Sequence, residues 1–180
     1  MSQNESLPVS PAAARLRLNF HVEQQGNALW FELSNESSLQ SLFCNSGARA
    51  GAYVMQSGQN LNVQAVANSN GSSAEYQVEL VSAELRAKLL RGTPPSAFPF
   101  TTSVLTDAGE NSVTPIVFSG KMFLTSNEDG AVQFLSSQPL VTTVPSAECA
   151  YEVSVVLAVK IGGREVIFTL DPEVIVEQPR

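Results

Sequence analysis

The 180-residue chain of 19.2 kDa is 43% hydrophobic with a mean hydropathy of +0.04, values typical of one globular domain and not of a disordered chain. Its 17 acidic and 10 basic residues give a net charge of −7, which disfavours nucleic acid and anionic membranes as partners because phosphate groups require a basic surface. One histidine and two cysteines are too few for most imidazole- or thiolate-based metal sites. We therefore predict no cofactor and no metal.

The N-terminal region contains no basic segment followed by an apolar one, so no signal peptide is predicted. No apolar stretch approaches the roughly 18 residues of a membrane-spanning helix, and we predict no membrane span. We therefore expect a soluble cytoplasmic protein, although export without a signal peptide would leave no trace of this kind. In a reducing compartment, Cys44 and Cys149 are expected to be two separate thiols.

The first half of the chain predicts short strands separated by turns. Residues 1–14 are polar and without period, which predicts a disordered N-terminal segment. Apolar and polar side chains then alternate over 15–23, as in a half-buried strand, and a turn containing Gly26 leads into a second strand at 28–33. The two strands form a predicted hairpin. Further strands are predicted at 50–56, 61–67 and 75–81.

Residues 82–91 fit two structures. They are rich in good helix formers, with Ser82 and Gly92 as suitable caps. They also alternate strictly between apolar and polar side chains, as a strand does. We interpret them as a strand.

The second half continues with short strands after a proline-rich loop at 92–99. The clearest strands are the last three, and Gly162-Gly163 forms the turn between the first two of them. About ten or eleven strands with at most one short helix predict an all-β, antiparallel two-sheet sandwich of jelly-roll type, formed by a single domain over 15–180. The predicted strands are 101–106, 114–118, 121–125, 131–135, 140–144, 151–160, 164–170 and 173–177.

His21, Cys44 and the many carboxylates are the candidates for catalysis. His21 lies at a polar position of its strand, which is typical of a solvated side chain, and no hydrolase motif accompanies it. A Cys44–His21 pair and a hydrolase with paired carboxylates stay open as alternatives. Oxygen ligands at 107–111 or 127–130 could hold calcium, but both segments are typical of hairpin turns. We predict that the protein is not an enzyme.

Aromatic and amide side chains are the candidates for ligand binding. Trp30 is the only tryptophan, and it lies opposite the more apolar face of its strand. An aromatic ring in such a position offers rigid area to a sugar or another small ligand, and amides supply hydrogen bonds. The alternatives are a tryptophan covered by a second layer and amides on an ordinary solvent face. The predicted ligand-binding residues are Trp30, Tyr53, Asn60, Asn62 and Gln64.

Four features follow one another in the C-terminal half: Phe98-Pro99-Phe100, Tyr151–Leu157, Gly162-Gly163 and Asp171–Val176. Their order resembles that of the PixA/AidA inclusion-body proteins of Gram-negative bacteria. The chain departs from that family in its opening strand and at Leu170, where the family has tryptophan, and its three methionines exclude methionine storage. The resemblance implies a β-sandwich made in quantity, sometimes self-assembling, with glycan binding and no catalysis.

The function predicted from these features is that of a non-enzymatic β-sandwich protein that binds a glycan or another small ligand, associates with itself into a homo-oligomer, or does both. The alternative from another class is a structural protein that assembles through its sheet faces. A carboxylate- or cysteine-dependent hydrolase is the third hypothesis.

Overall fold

A computed structural model describes residues 12–70, 76–91, 100–102, 116–117, 122–124, 132–136, 140–142 and 148–177. These residues form thirteen β-strands and one short 3₁₀ turn at Gly47–Arg49. In chain order the strands are β1 (Ala14–His21), β2 (Trp30–Asn35), β3 (Tyr53–Gln56), β4 (Asn60–Asn68), β5 (Val78–Arg91), β6 (Phe100–Thr102), β7 (Ile116–Val117), β8 (Met122–Leu124), β9 (Val132–Ser136), β10 (Leu140–Thr142), β11 (Cys149–Ile161), β12 (Arg164–Leu170) and β13 (Glu173–Glu177).

Seven strands form sheet A, in the order β2-β1-β4-β10-β6, with β9 also paired to β4 and β8 paired to β9. The predicted hairpin is confirmed, because β1 and β2 pair antiparallel from Ala14 opposite Asn35 to Asn19 opposite Trp30. The neighbouring pair β1–β4 is parallel along the whole of β1. Strands β10 and β9 follow one another along the other edge of β4.

Six strands form sheet B, in the order β3-β13-β11-β5-β7, with β12 also paired to β11. The long strands β5 and β11 pair antiparallel, and β13 and β3 pair parallel. The predicted all-β, two-sheet fold is therefore confirmed. The prediction of purely antiparallel sheets is wrong at β1–β4 and β3–β13, because alternation within a strand carries no information about the direction of its neighbour.

Residues 82–91 belong to strand β5, which confirms the strand interpretation. Ala83 and Leu85 are buried on the inner face, and both have partners on β11, at Leu157 and Val155. Tertiary pairing therefore decides between two locally acceptable structures, since the apolar alternation of the segment fits the inner surface of a sheet.

The two sheets are joined at the β2 edge by residues 41–44. The Leu42 amide donates to the Leu33 carbonyl of β2 at 2.9 Å, and the Val54 amide of β3 donates to the Leu42 carbonyl at 3.0 Å. A parallel bridge between Ala28 and Thr169 brings the segment before β2 next to β12. The β2 edge of sheet A is thus covered by main chain, which suppresses unwanted edge pairing.

The hydrophobic core lies between the sheets and is built from alternate residues of their strands. Phe20 of sheet A and Phe168 of sheet B are both wholly buried, and their rings stack with centroids 4.9 Å apart. Leu18 and Leu157 are equally buried in the same cluster. This arrangement follows from the period of two, which places every second side chain on the inner face.

The predicted boundary of the disordered N-terminal segment is wrong for residues 12–14. Ala14 is wholly buried at the start of β1. The Gln59 side-chain amide donates to the Ala12 carbonyl at 2.7 Å, and the Glu36 amide donates to the Ala13 carbonyl at 2.7 Å. These residues are ordered because β1 begins inside the core.

Two local predictions are confirmed in the described part of the chain. Gly162 and Gly163 connect β11 to β12 with φ of 56° and 84°, the positive values that a type I′ hairpin turn requires. No disulfide joins Cys44 and Cys149. The proline-rich loop at 92–99, including the start of Phe98-Pro99-Phe100, and the calcium candidates at 107–111 and 127–130 lie outside the described residues.

Candidate functional site

The outer face of sheet A carries most of the predicted ligand-binding residues. The register β2-β1-β4 places Trp30 opposite Asn19, and Asn19 opposite Val66. One row further along, the same register places Glu32, Arg17 and Gln64 side by side. This face is polar because its residues are the outward members of the alternation that builds the core. In the described strands β2, β1 and β4 it consists of Trp30, Glu32, Ser34, Arg15, Arg17, Asn19, His21, Asn60, Asn62, Gln64, Val66 and Asn68.

Trp30 lies on β2, where the outward side chains of this face are most exposed to solvent. Its side chain is 55% exposed, and the His21 ring meets it edge-on with centroids 5.8 Å apart. The turn before Trp30 is organised by the Gln24 amide, which accepts a hydrogen bond from the His21 amide at 2.9 Å and donates to the Ala28 carbonyl at 2.7 Å. The exposed indole is therefore restrained on one side by the imidazole and at its backbone by the turn.

Burial increases from Trp30 towards β4. Asn19 is half-buried, and Val66 in the same row is wholly buried although it lies on the outer face. Gln133 of β9, which faces Val66 in register, is only 9% exposed, and it accepts a hydrogen bond from the Gln64 side-chain amide at 2.7 Å. The outward side chains are therefore more exposed to solvent at β2 than at β4. A ligand would contact this face from the Trp30 side.

The far end of the face is organised by Glu36, which follows β2. Its carboxylate accepts a hydrogen bond from the Asn62 side-chain amide at 2.8 Å and forms a salt bridge with Arg15 at 3.4 Å. These contacts join β2, β1 and β4 through side chains. They also occupy Asn62, one of the predicted ligand-binding residues, with an intramolecular contact.

Four of the five predicted ligand-binding residues share this face, and Tyr53 does not. Tyr53 pairs with buried Val174 and packs against the core, with its ring 5.3 Å from Phe31 and 5.2 Å from Phe43. Burial, and then the nearby Glu32 carboxylate, raises the pKa of Tyr53. The sequence could not separate Tyr53 from the outward residues, since β3 is too short for alternation to identify its inner face.

The catalytic candidates His21 and Cys44 are not brought together. His21 lies on β1 against Trp30, whereas Cys44 lies beyond β2 and donates from Sγ to the Ser46 carbonyl at 3.1 Å. Within the described ranges, no three histidine, cysteine or acidic side chains are grouped closely enough to hold a metal ion. The geometry of these two residues does not support a Cys–His nucleophile.

A cleft that the sequence did not predict lies on the outer side of sheet B. It is a cleft of about 310 Å³ between residues 48–52 and the end of β5, with Leu90 and Ile175 among its apolar lining. Arg49 beside it forms salt bridges with Glu148 at 2.6 Å and with Glu177. The lining also contains Arg91 and Glu173, whose charged groups pair with each other at 3.5 Å. The charges that line this cleft are therefore neutralised by salt bridges within the protein. No sequence motif indicates the site.

No known protein family matches this chain, and no curated protein sequence matches it either. The resemblance to the PixA/AidA proteins therefore stays a prediction. Among the helical segments of the described ranges, none has the length and apolar character needed to cross a bilayer.

Proposed function

We propose that this protein is a non-enzymatic carbohydrate-binding protein that holds a sugar against Trp30 on the outer face of sheet A. The observation that carries the proposal is the 55% exposure of this indole on a face made mostly of polar and charged side chains. An exposed indole offers a rigid apolar surface on which a sugar ring can stack. The His21 contact reduces the entropy that the indole would lose on binding.

The neighbours of Trp30 support a sugar over an apolar ligand. Asn19 lies directly opposite Trp30, and Gln64 and Asn68 lie on β4 across the same face. Side-chain amides both donate and accept hydrogen bonds, as the hydroxyl groups of a sugar do. An apolar ligand would cover the amides of Asn19 and Asn68 without replacing their bonds to water, which opposes its binding.

A glycan-binding screen of the full chain with a matched pair of variants tests this proposal. Trp30→Ala should weaken glycan binding by roughly 30-fold, since truncating an anchoring tryptophan typically costs about 2 kcal/mol. Ile167→Ala is the control, because Ile167 is 52% exposed but lies on the outer face of sheet B. It should leave binding unchanged.

Thermal unfolding of both variants checks that the fold is intact, and ligand-induced stabilisation provides an independent readout. Glycan binding that survives Trp30→Ala, or that Ile167→Ala removes equally, would contradict the proposal. The alternative of self-association without a ligand predicts a discrete oligomer in light scattering and no glycan-induced shift in the melting temperature.

A further inference from the structure

We infer that the sugar bound at Trp30 carries a carboxylate group and that Arg17 binds this carboxylate. The inference rests on the proposed function, since the same face of sheet A holds the sugar ring. It adds the ligand's charge and the residue that recognises it.

Arg17 lies in the row next to Trp30. It is two residues from Asn19, the partner of Trp30 on β1, so Arg17 and Trp30 are diagonal neighbours across an antiparallel pair. Diagonal neighbours are about 7–8 Å apart at their Cα atoms, within reach of long side chains. A sugar ring stacked on the indole therefore places its exocyclic groups within reach of the Arg17 guanidinium.

Among the cations of the described residues, Arg17 combines partial burial with the lack of a salt bridge. Eight lysines and arginines lie in the described ranges, and Arg17 and Arg164 are the two of these that form no salt bridge. Arg164 is exposed at a hairpin turn, where water solvates it. Arg17 is half-buried, and its Nε is buried without any hydrogen-bond partner. Buried donors are nearly always paired, so this one is a candidate for a bond that forms with a ligand.

The register neighbours of Arg17 do not bind its guanidinium. Glu32 faces it on β2 but forms no salt bridge with it. Gln64 donates its side-chain amide to Gln133 at 2.7 Å. The second arginine of β1, Arg15, is already paired with Glu36. Of the two β1 arginines, Arg15 is therefore ion-paired within the protein, whereas the Arg17 guanidinium is available to a ligand.

A carboxylate fits this site better than a phosphate does. The planar guanidinium binds either group through paired hydrogen bonds. Arg17 supplies one positive charge, Glu32 faces it in register, and the whole chain carries a net charge of −7. A phosphate dianion would therefore add more uncompensated negative charge there than a single carboxylate does. The overall charge opposes long-range attraction of an anion, so we expect the contact to slow dissociation more than it speeds association.

Binding of matched neutral and acidic oligosaccharides to the full chain, measured by calorimetry, tests the inference. The probes are galactose and galacturonate trimers together with glucose and glucuronate trimers, because each pair differs in the group at C6. The unmodified protein should bind one of the acidic trimers at least tenfold more tightly than its neutral partner, the range of a charge-assisted hydrogen bond. Arg17→Gln should abolish this preference while changing the affinity for the neutral sugar less than twofold.

Arg164→Gln is the matched control, since it removes an equal charge from an arginine that also has no salt bridge and lies in sheet B. It should leave the preference unchanged. Arg17→Lys keeps the charge but not the paired donors, and it should retain a preference of only a few fold. This variant also provides the test if thermal unfolding shows that Arg17→Gln does not fold.

The outcomes separate the inference from the proposed function. Equal binding of neutral and acidic trimers, or a preference that survives both Arg17 variants, overturns the role of Arg17 while sugar binding at Trp30 stands. Sugar binding that Trp30→Ala does not weaken, or the absence of sugar binding by the unmodified protein, overturns both.

Discussion

Sheets A and B are built on the same plan but present different outer faces. In each sheet a long central strand, β4 or β11, has one long neighbour on one side and two short strands in succession on the other. In each sheet one described pair of neighbouring strands is parallel and the others are antiparallel. Similar backbone architecture therefore does not determine what the surface of a sheet can bind.

The outer faces differ in how their charges are compensated. On sheet B, salt bridges join Lys88 to Glu152 and Lys160 to Glu79 across β5 and β11, each at 3.9 Å. On sheet A, the exposed Trp30 lies opposite Asn19 and against His21, and Arg17 forms no salt bridge within the described residues. A face whose charges are paired within the protein interacts mainly with water. A face with an exposed aromatic ring and a donor that has no hydrogen-bond partner can still form contacts with a ligand.

The largest expected effect concerns the core contact that joins the two sheets. Phe20→Ala removes the ring that stacks on Phe168 and should lower the free energy of unfolding by about 3–5 kcal/mol. Phe43→Ala is the control, since Phe43 is 37% exposed and its loss should cost clearly less. Denaturant unfolding measures both. A loss below about 1 kcal/mol for Phe20→Ala would show that the sheets are held together elsewhere.

The next effect concerns an ionisable group in the central strand of sheet B. Tyr151 is buried, and burial, followed by the neighbouring Cys149 thiol, raises its pKa to about 12. Unfolded tyrosine titrates near pH 10, so the folded state binds the proton more tightly. This contribution to stability is complete below pH 10 and is lost between pH 10 and about 12, by roughly 2–3 kcal/mol.

Tyr151→Phe should remove that alkaline loss, because phenylalanine has no hydroxyl to ionise. Urea unfolding of both proteins at pH 8 and at pH 11 measures the difference. An identical pH dependence in the two proteins would contradict the assignment. Strand β4 contains no ionisable side chain, so we expect no corresponding effect from the centre of sheet A.

A smaller effect is expected from the polar contacts of Glu36 on the outer face of sheet A. Glu36→Ala removes the carboxylate that binds Asn62 and Arg15 on sheet A, and it should cost about 1–2 kcal/mol of unfolding free energy, since the contacts are partly buried. Urea unfolding at two salt concentrations measures the loss. A cost that disappears at high salt would mean that the contact is purely ionic.

The smallest effect is expected for an ion pair of sheet B. Lys88→Ala breaks the contact with Glu152, but the Lys88 side chain is 78% exposed and solvent screens the pair. The expected loss is below about 0.5 kcal/mol. A loss as large as that of Glu36→Ala in the same urea experiment would contradict the distinction drawn between the two faces.

The sequence predicted the outward position of Trp30, Asn62 and Gln64, because each strand around them is long enough to show a period of two. It did not establish which face Tyr53 occupies, because Tyr53 lies on a strand of four residues, and the structure packs it against Phe31 and Phe43. The sequence also did not indicate that Arg17 would lack a salt bridge. That property depends on which side chains of neighbouring strands meet in the folded protein, and no local pattern encodes it.

The amino-acid sequence by itself determined that this protein is made of strands, which face of each long strand is buried, and where the hairpin turns lie. These properties follow from local alternation and from glycines such as Gly162 and Gly163. The tertiary structure alone decided that β1 pairs parallel with β4, that residues 41–44 join the sheets, and that Arg17 is left without a partner beside Trp30. Such contacts join residues far apart in the chain, and their energies depend on the packing of the whole molecule and not on the order of neighbouring residues.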